Sequence, residues 1–203
     1  MKKNKHGVHS SPPAWHGIQI VTDPTWGDNG KGKIVDLLGS RAHMVIRYAG
    51  GPNAGHTVKN NRGEFKFHVI PSGICSPATL CVLAEGVVIN PQSLVEEIAM
   101  VESQGITVTP QNLLISRHAH LILPWHRVRD GLSEVARGGN SIGTTRQGIG
   151  PAYCDKTERV GLRMVDLCDP DFVKRFEQEL VWQRKLIGLM DAKSGVQELD
   201  AQV

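Results

Sequence analysis

The stretch Trp26-Gly27-Asp28-Asn29-Gly30-Lys31-Gly32-Lys33 decides the fold of this chain, because it stands between an apolar run at 18–21 and a helix-like segment at 34–38. A strand, a glycine-rich loop and a helix in this order are typical of a phosphate-binding site. The glycines let backbone amides crowd around an anion, and the helix N-terminus contributes about half a positive charge. The two lysines add full charges. The stretch therefore predicts a pocket for anionic phosphates, although its spacing differs from that of the G-x-x-x-x-G-K-[ST] loop.

A second glycine-rich stretch, Gly50-Gly51-Pro52-Asn53-Ala54-Gly55-His56-Thr57, follows the next apolar run. Its His56 can donate a hydrogen bond or a proton to a developing oxyanion, and the amide of Asn53 can pair with a purine edge or a phosphate. In the first stretch, Asp28 lies beside two lysines, where a carboxylate stays ionised and can hold magnesium or accept a proton. The same aspartate can equally serve as the N-cap of the helix that starts near Gly30.

The composition is that of a soluble globular protein, with 40% hydrophobic and 21% charged residues in a chain of 203. The formal net charge of +3 gives no case for nucleic-acid binding. No apolar segment approaches the roughly 18 residues of a membrane span. Cys75, Cys81, Cys154 and Cys168 show no C-x-x-C pairing, so we expect reduced thiols and a cytoplasmic location. Residues 1–17 lack the apolar region of a secretory signal, and we expect a disordered tail there.

Apolar patterning predicts strands that alternate with helices. Short aliphatic or β-branched runs predict strands at Ile18–Thr22, Met44–Arg47, Lys66–Ile70, Leu80–Ala84 and Leu113–Ser116. The alternation favours an α/β fold, with a mainly parallel central sheet flanked by helices and with ligands at the carboxyl ends of the strands.

Start signals and apolar spacing place the helices and one turn. Asn90-Pro91 and Asp169-Pro170 each combine a capping side chain with proline at the first helical position. Asn60-Asn61-Arg62-Gly63 predicts a tight hairpin turn. The apolar stripes expected on the two helices are Leu94, Val95, Ile98 and Val101, and Phe172, Phe176 and Leu180.

Four motifs occur in one order along the chain: WGDNGKGKIVDLL, GGPNAGHT, IPSGI and IGTTRQGIGPAYCDK. On these motifs the chain resembles the N-terminal part of the adenylosuccinate synthetases, from about Ile18 to about Leu180. The resemblance implies a variant of the P-loop NTPase fold, truncated at its C-terminus, because members of that family are considerably longer. We expect residues 18–190 to form the N-terminal part of such a domain and residues 191–203 to form a C-terminal tail.

The resemblance also implies an enzyme, a ligase of purine (AMP) biosynthesis that joins L-aspartate to IMP. In that family GTP phosphorylates the 6-oxygen of IMP, and the amino group of aspartate then displaces the phosphate. Asp28 matches the catalytic aspartate, which would remove the N1 proton of IMP and ligate Mg²⁺. His56 matches the catalytic histidine, which supports the charge on the 6-oxygen and on the transferring phosphoryl group. Gly55 would give its carbonyl oxygen to the metal.

The resemblance carries two further sets of binding residues onto this chain. Thr145 matches a residue that contacts the IMP phosphate, and Arg159 matches an arginine that reaches into the site of the neighbouring subunit, which implies a homodimer. The residues expected to bind GTP are Gly27, Asp28, Asn29, Gly30, Lys31, Gly32, Lys33, Gly55, His56 and Thr57. Those expected to bind IMP are Asp28, Asn29, Gly30, Lys31, Asn53, Ala54, Gly55, His56, Thr145 and Arg159.

Several positions depart from the family pattern. Asp23 and Asn29 alter the first motif, Pro52 replaces a usual histidine in the second, and Arg146-Gln147 replaces glycine-arginine after the paired threonines. The family's residues that read guanine and bind aspartate belong to a C-terminal part with no counterpart here. The alternative to an active synthetase is therefore a truncated, catalytically silent module that binds nucleotide phosphate or dimerises. We expect neither nucleic acid nor a membrane as a partner.

Overall fold

The computed structural model of the protein describes residues 17–22, 30–53, 55–60, 63–191 and 194–203. The predictions for residues 1–16, for 23–29, for Ala54, for 61–62 and for 192–193 lie outside the described residues.

The described part of the chain contains both helices and strands, and from Pro124 onward its regular elements are helices. The helices are α1 (Lys31–Gly39), α2 (Pro91–Ser103), α3 (Pro124–Arg137), α4 (Ile149–Glu158), α5 (Phe172–Met190) and α6 (Gly195–Asp200). The strands are β1 (Met44–Gly50), β2 (His56–Asn60), β3 (Gly63–Phe67), β4 (Leu80–Ile89), β5 (Leu113–Ile115) and β6 (His120–Leu121). Short 3-10 helices lie at Ser72–Cys75, Gly138–Asn140 and Met164–Cys168. The strands β4 and β5 are parallel and are joined through α2, which confirms the predicted α/β class.

The long strand β4 is the centre of a parallel sheet. It pairs with β1 and with β5, and β6 pairs with its carboxyl end. The register places Ile46 opposite Val82 and Val82 opposite Leu114, so these three residues form one row across the sheet. The observed pairing confirms the mainly parallel sheet that the sequence predicts.

The strands on either side of the predicted hairpin turn, β2 and β3, pair with each other. The two strands are antiparallel, and Asn60 lies opposite Gly63, which leaves a two-residue connection between them. Phe65 and Phe67 of β3 are both fully buried, and their stacked rings lie 5.7 Å apart. The hairpin thus presents an aromatic face to the core. Its first residue, His56, belongs to the end of the second glycine motif.

Two of the predicted strands are wrong in whole or in part. Ile18–Thr22 forms no strand in the structure, and Ile18 and Ile20 are 94% and 77% exposed. The strand predicted at Lys66–Ile70 ends at Phe67. It ends there because the N–H groups of 68–70 donate to the carboxylate of Glu97 on α2 instead of to a neighbouring strand.

Of the two predicted helix starts, the one at Pro91 is confirmed and the one at Pro170 is two residues early. α2 begins at Pro91 as predicted, and the side chain of Asn90 accepts the N–H of Ser93 at 3.1 Å. Val95, which the predicted stripe includes, is 65% exposed and lies on the outer face of α2. α5 begins at Phe172, two residues later than the Asp169-Pro170 signal places it. The predicted pattern did not include α3 and α4, although both carry residues of the candidate site.

The buried apolar residues form two main clusters. One lies between the parallel sheet, α2 and the β2–β3 hairpin, and the other joins α3, α5 and α6. Leu199 of α6 is fully buried in the second cluster with Ile187 of α5. The segment predicted as a C-terminal tail, 191–203, therefore contains a packed helix.

Among the described residues, no helix combines the length and the apolar character that crossing a bilayer requires. None of the four cysteines forms a disulfide bond, and Cys81 is fully buried. Burial, followed by the nearby thiol of Cys75, raises the pKa of Cys81 to about 12.

Candidate functional site

The N-terminus of α1 lies directly against the start of β2. Gly30 adopts a φ of 76° as the N-cap, a left-handed conformation that suits glycine, and the helix begins at Lys31. A Cβ atom added to Gly32 would lie 2.8 Å from the Cβ of His56. Only glycine therefore permits this contact, and it brings the first glycine motif into contact with the histidine of the second.

Arg47 of β1 holds the backbone of the second glycine motif by hydrogen bonds from its guanidinium. Its guanidinium donates to the carbonyl oxygens of His68 and Val69, the latter at 3.1 Å, and to that of Gly51 at 2.6 Å. Burial lowers the pKa of Arg47 below its usual value. One half-buried cation thus holds Gly51 and the segment after β3 in a common frame.

Tyr153 of α4 ties the same turn to β4. Its hydroxyl accepts the N–H of Gly50 at 2.8 Å and donates to the carbonyl oxygen of Gly86 at 2.7 Å. Gly86 itself has no room for a side chain, because an added Cβ would lie 2.0 Å from the carbonyl oxygen of Tyr48. The end of β1 is therefore held by a residue of the fourth motif.

A cleft of about 280 Å³ opens where the second and fourth motifs meet. Its lining combines the polar groups of a turn, a helix and a loop with two glycines. The lining residues are Asn53, Asp130, Gly143, Thr144, Thr145, Ile149 and Gly150. Hydroxyl, amide and backbone N–H groups in one concave site are suited to a phosphorylated ligand.

Asp130 of α3 organises one side of the cleft. Its Oδ1 accepts the hydroxyl of Thr144 at 2.8 Å, and its Oδ2 accepts the N–H of Gly148 at 2.9 Å. Gly148 has a φ of 76° and lies against the backbone of His126, where an added Cβ would approach within 2.8 Å. The loop that leads into α4 therefore packs directly on α3.

Glu134, one helical turn further along α3, holds the same loop by its backbone. Its carboxylate accepts the N–H groups of Ile142, Gly143 and Thr144 at 3.1, 2.7 and 3.2 Å. Burial acts to raise the pKa of Glu134, but these three donors outweigh burial and lower the pKa below its usual value. The carboxylate is therefore held in its ionised form.

Behind the loop, α3, α4 and α5 are joined by a buried polar network. His126 Nε2 lies 2.9 Å from Asp155 Oδ2, and Arg129 Nη1 lies 2.6 Å from Asp155 Oδ1. Gln183 of α5 donates to the same aspartate at 3.3 Å. The Nδ1 atom of His126 accepts the N–H of Leu123, so in the neutral imidazole the Nε2–H group donates the hydrogen bond to Asp155.

The arrangement of glycine loop, histidine turn and polar cleft can be compared with known proteins. The sequence profile of the adenylosuccinate synthetase family matches residues 20–202. The chain belongs to this family. It is 50% identical over 184 residues to the adenylosuccinate synthetase of Heliobacterium modesticaldum, covering 90% of this chain and 42% of that protein. It is 49% identical over 171 residues to that of Dehalococcoides mccartyi, covering 84% and 40%.

Two solved structures extend the comparison. The fully ligated adenylosuccinate synthetase from Plasmodium falciparum superposes with a TM-score of 0.69 at 35% identity, covering 87% of this chain and 41% of that one. Succinoaminodeoxyadenylate synthetase from cyanophage S-2L, bound to dGMP and to dATP as an energy donor, gives 0.51 at 31% identity, covering 66% and 36%. The chain thus spans about two fifths of the length of the curated relatives it matches.

The structure brings together some residues that the resemblance to adenylosuccinate synthetases predicts and separates others. Gly32 contacts His56, and Asn53 and Thr145 line one cleft. Arg159 lies elsewhere, exposed at the C-cap of α4, about 15 Å along that helix from the cleft at a rise of 1.5 Å per residue. The remaining predicted residues in the described part are Gly30, Lys31, Lys33, Gly55 and Thr57, at α1 and at the start of β2.

The predicted residues Gly27, Asp28 and Asn29 lie outside the described residues, as do Ala54 and the departure at Asp23. Among the described residues, no group of three His, Cys, Asp or Glu side chains is arranged to hold a metal ion. Of the other departures from the adenylosuccinate synthetase pattern, Pro52 is buried in the turn, while Arg146 is exposed with a φ of 54°.

Asp130 and Glu134 of α3 were not predicted as site residues, although both hold the loop of the fourth motif. A signal for them was present in the sequence. Together with His126 they recur at intervals of four residues, which places all three on one face of a helix that begins at Pro124. The loop that this face contacts is determined by the packing of α3 against α4, and the spacing of residues within α3 does not predict that packing.

Proposed function

We propose that this chain carries the nucleotide-phosphate half of an adenylosuccinate synthetase, which ligates IMP and L-aspartate at the expense of GTP. One observation carries the proposal: Asn53 of the second motif and Thr145 of the fourth line a single cleft, next to the turn that bears His56. A nucleoside monophosphate requires such polar groups around its phosphate. The α1 N-terminus with Lys31 supplies positive potential beside it for a second, triphosphate ligand.

In the proposed reaction, the carboxylate of Asp28 takes the N1 proton of IMP, and the 6-oxygen attacks the γ-phosphoryl group of GTP, releasing GDP. The amino group of aspartate then forms the C–N bond at C6 and displaces inorganic phosphate. His56 donates a hydrogen bond to the 6-oxygen and to the transferring phosphoryl group, where negative charge develops. The contact of His56 with Gly32 supports this role, because it places the histidine beside the helix that would bind the triphosphate.

The reaction of the family uses Mg²⁺, and the donor types in the two motifs fit it. Carboxylate and carbonyl oxygens are the ligands that Mg²⁺ prefers, and Asp28 and the carbonyl group of Gly55 would hold the ion. Gly55 is exposed directly before β2, and an added Cβ would lie 2.9 Å from Nε2 of the exposed His68 side chain. The bound ion would neutralise charge on the phosphates.

Thr145 gives the sharpest test of the proposal. It is exposed in the cleft, and it makes no hydrogen bond within the described part of the chain, so its hydroxyl is available to a phosphate. Calorimetry should show that the chain binds IMP, and Thr145→Val should weaken this binding about tenfold, as expected for the loss of a hydrogen bond to a charged group. Thr107→Val, at an exposed loop position, is the matched control and should bind as the parent does.

Turnover is measured separately, by the ultraviolet absorbance change on adenylosuccinate formation with IMP, GTP, Mg²⁺ and aspartate. Binding of IMP with turnover supports the synthetase, whereas binding without turnover identifies a nucleotide-phosphate-binding module. Absence of IMP binding would contradict the proposal. Because the cyanophage relative is bound to dGMP and dATP, these two nucleotides should be compared directly with IMP and GTP.

We further propose a homodimer in which Arg159 contacts the nucleotide phosphate of the partner subunit. The exposed position of Arg159 at the far end of α4 supports this, because the side chain cannot line the cleft of its own chain. Sedimentation velocity at low protein concentration should show a discrete dimer, and Arg159→Ala should weaken IMP binding without changing the sedimentation of the chain. A monomer at high concentration would contradict the shared site.

A further inference from the structure

Three successive N–H groups converge on one buried carboxylate at the edge of the cleft. Glu134 Oε1 accepts from Ile142, and Oε2 accepts from both Gly143 and Thr144. Glu134 is 7% exposed and is not part of the cleft lining, whereas Gly143 and Thr144 are. The carboxylate therefore lies behind the loop, and its contact with a ligand in the cleft is indirect.

The backbone of the loop has the conformation that such convergence requires. Gly143 has a φ of 78°, which favours glycine, and an added Cβ there would meet no atom within 4 Å. The glycine is thus needed for the direction of the backbone and not for space. A run of N–H groups that includes a left-handed residue forms a concave anion site. In this protein the anion that fills it is a side chain of α3.

These hydrogen bonds determine which group of the loop can donate to a ligand. The N–H groups of 142–144 are directed to Glu134, and the hydroxyl of Thr144 is directed to Asp130. Thr145 is the next residue, exposed in the cleft and without a hydrogen bond in the described part of the chain. Glu134 and Asp130 therefore use the donors on the inner side of the loop and leave Thr145 available on the outer side.

We infer that Glu134 is a positioning residue for the phosphate-binding loop: by holding the amides of 142–144, it presents Thr145 to the phosphate of the nucleoside monophosphate. This inference rests on the proposed function, since it requires that the cleft bind such a ligand. Glu134 makes no contact with the ligand and acts through the loop.

The experiment compares three variants of the full chain. Glu134→Gln keeps the size of the side chain but replaces one acceptor oxygen by an amide NH2 group, which cannot accept from the one or two N–H donors that face it. Glu134→Ala removes all three acceptors. Glu177→Gln, an exposed carboxylate on α5, is the matched control. Amide hydrogen exchange at 142–144 is measured without ligand, and calorimetry gives the affinities for IMP and for GTP with Mg²⁺.

We expect Glu134→Gln to speed exchange either at 142 or at 143 and 144, and to weaken IMP binding about tenfold, equivalent to about 1.4 kcal/mol. Glu134→Ala should weaken it further, while GTP affinity and the urea midpoint of Glu134→Gln stay close to those of the parent and of Glu177→Gln. The graded response of the two variants and the loss confined to IMP are the signs of positioning.

The contrary outcomes are distinct. If the parent binds IMP and both Glu134 variants bind it equally well, the inference is overturned and the proposed function stands. Equal losses of IMP affinity, GTP affinity and urea resistance would also overturn it, since they indicate general destabilisation. Unchanged exchange at 142–144 would show that Glu134 does not hold the loop. If the parent binds no IMP, the proposed function fails, and the inference fails with it.

Discussion

At the scale of single residues, buried carboxylates replace strands as the partners of backbone amides. Glu97 accepts the N–H groups of His68, Val69 and Ile70 after β3 ends, as Glu134 does for the loop before α4. A buried N–H group without an acceptor costs about 1–3 kcal/mol. Each of these glutamates therefore determines the path of an irregular segment. Glu97 also determines a part of the stability, because Val69 and Ile70 are fully buried, whereas Ile142 and Gly143 are exposed and water can replace Glu134 as their acceptor.

We expect Glu97→Gln to destabilise the protein by about 1–3 kcal/mol, because the amide NH2 group of the new glutamine would face an N–H donor in a buried position. Glu96→Gln on the exposed side of the same helix is the control and should change stability by less than about 0.5 kcal/mol. Urea unfolding followed by circular dichroism measures both variants. Equal midpoints for the two would show that the amides of 68–70 find other partners.

The buried histidine of α3 should make stability depend on pH. His126 is 1% exposed, and burial lowers its pKa in spite of the adjacent Asp155. Its pKa in the folded state is thus below the unfolded value of about 6.5, so protonation favours unfolding. The stabilisation is complete above the unfolded pKa and is lost as the pH falls through the folded pKa.

We therefore expect the urea midpoint to fall between about pH 7 and pH 5. His126→Gln should lower the midpoint at pH 7 but flatten its dependence on pH. His118→Gln, at an exposed position, should keep the slope of the parent. If His126→Gln keeps that slope as well, the histidine is not its source.

At the scale of secondary structure elements, the decisive contact is the one between α1 and β2. Gly32 of α1 lies so close to His56 that no side chain fits between the two elements. Helical glycine normally costs about 0.5–1 kcal/mol relative to alanine. Here the absence of a side chain is what permits the first glycine motif and the histidine of the second to meet.

Two glycine-to-alanine variants separate these effects. Gly32→Ala should destabilise the protein by about 1–3 kcal/mol and weaken GTP binding, because the new methyl group would force α1 away from β2. Gly131→Ala on α3, where an added Cβ meets no atom within 4 Å, should instead stabilise it by about 0.5–1 kcal/mol. Urea midpoints and calorimetry with GTP measure both. A stabilising Gly32→Ala would contradict the close contact.

At the scale of the whole molecule, the two faces of the parallel sheet differ. On one face Cys81 and Leu83 of β4 are fully buried against the core. On the other, Ile46 and Leu114 share a row across the sheet and are 53% and 43% exposed, and Tyr48 of β1 is 59% exposed. Exposed apolar area of this kind favours association.

We expect the isolated chain to form species larger than a dimer as its concentration rises. Ile46→Lys should remove these species, because it places a charge in the centre of the apolar row. Leu189→Lys, at a residue of α5 that is 86% exposed, adds the same charge elsewhere and should leave association unchanged. Sedimentation velocity over a concentration series distinguishes the variants, and equal behaviour of the two would exclude the sheet face as the contact.

The sequence by itself determined the α/β class, the parallel sheet, the β2–β3 turn, the start of α2 and the family. Each of these depends on residues that are near one another in the chain: a cap and its helix, a turn and its strands, or a glycine loop beside an apolar run. Asn90 accepts a hydrogen bond from Ser93, and Asn60 pairs with Gly63, so in both cases the partner is three residues away. Local patterns are sufficient for such contacts.

Only the tertiary structure decided where β3 ends, how α3 serves the cleft and which face of the sheet is exposed. Glu97 accepts hydrogen bonds from the amides of 68–70, although β4 lies between them in the sequence. Asp130 and Glu134 accept hydrogen bonds from a loop that follows the end of their own helix. Arg47 likewise joins two segments that no pattern connects. These contacts arise from the packing of one element on another, and periodicity within an element does not specify its neighbour.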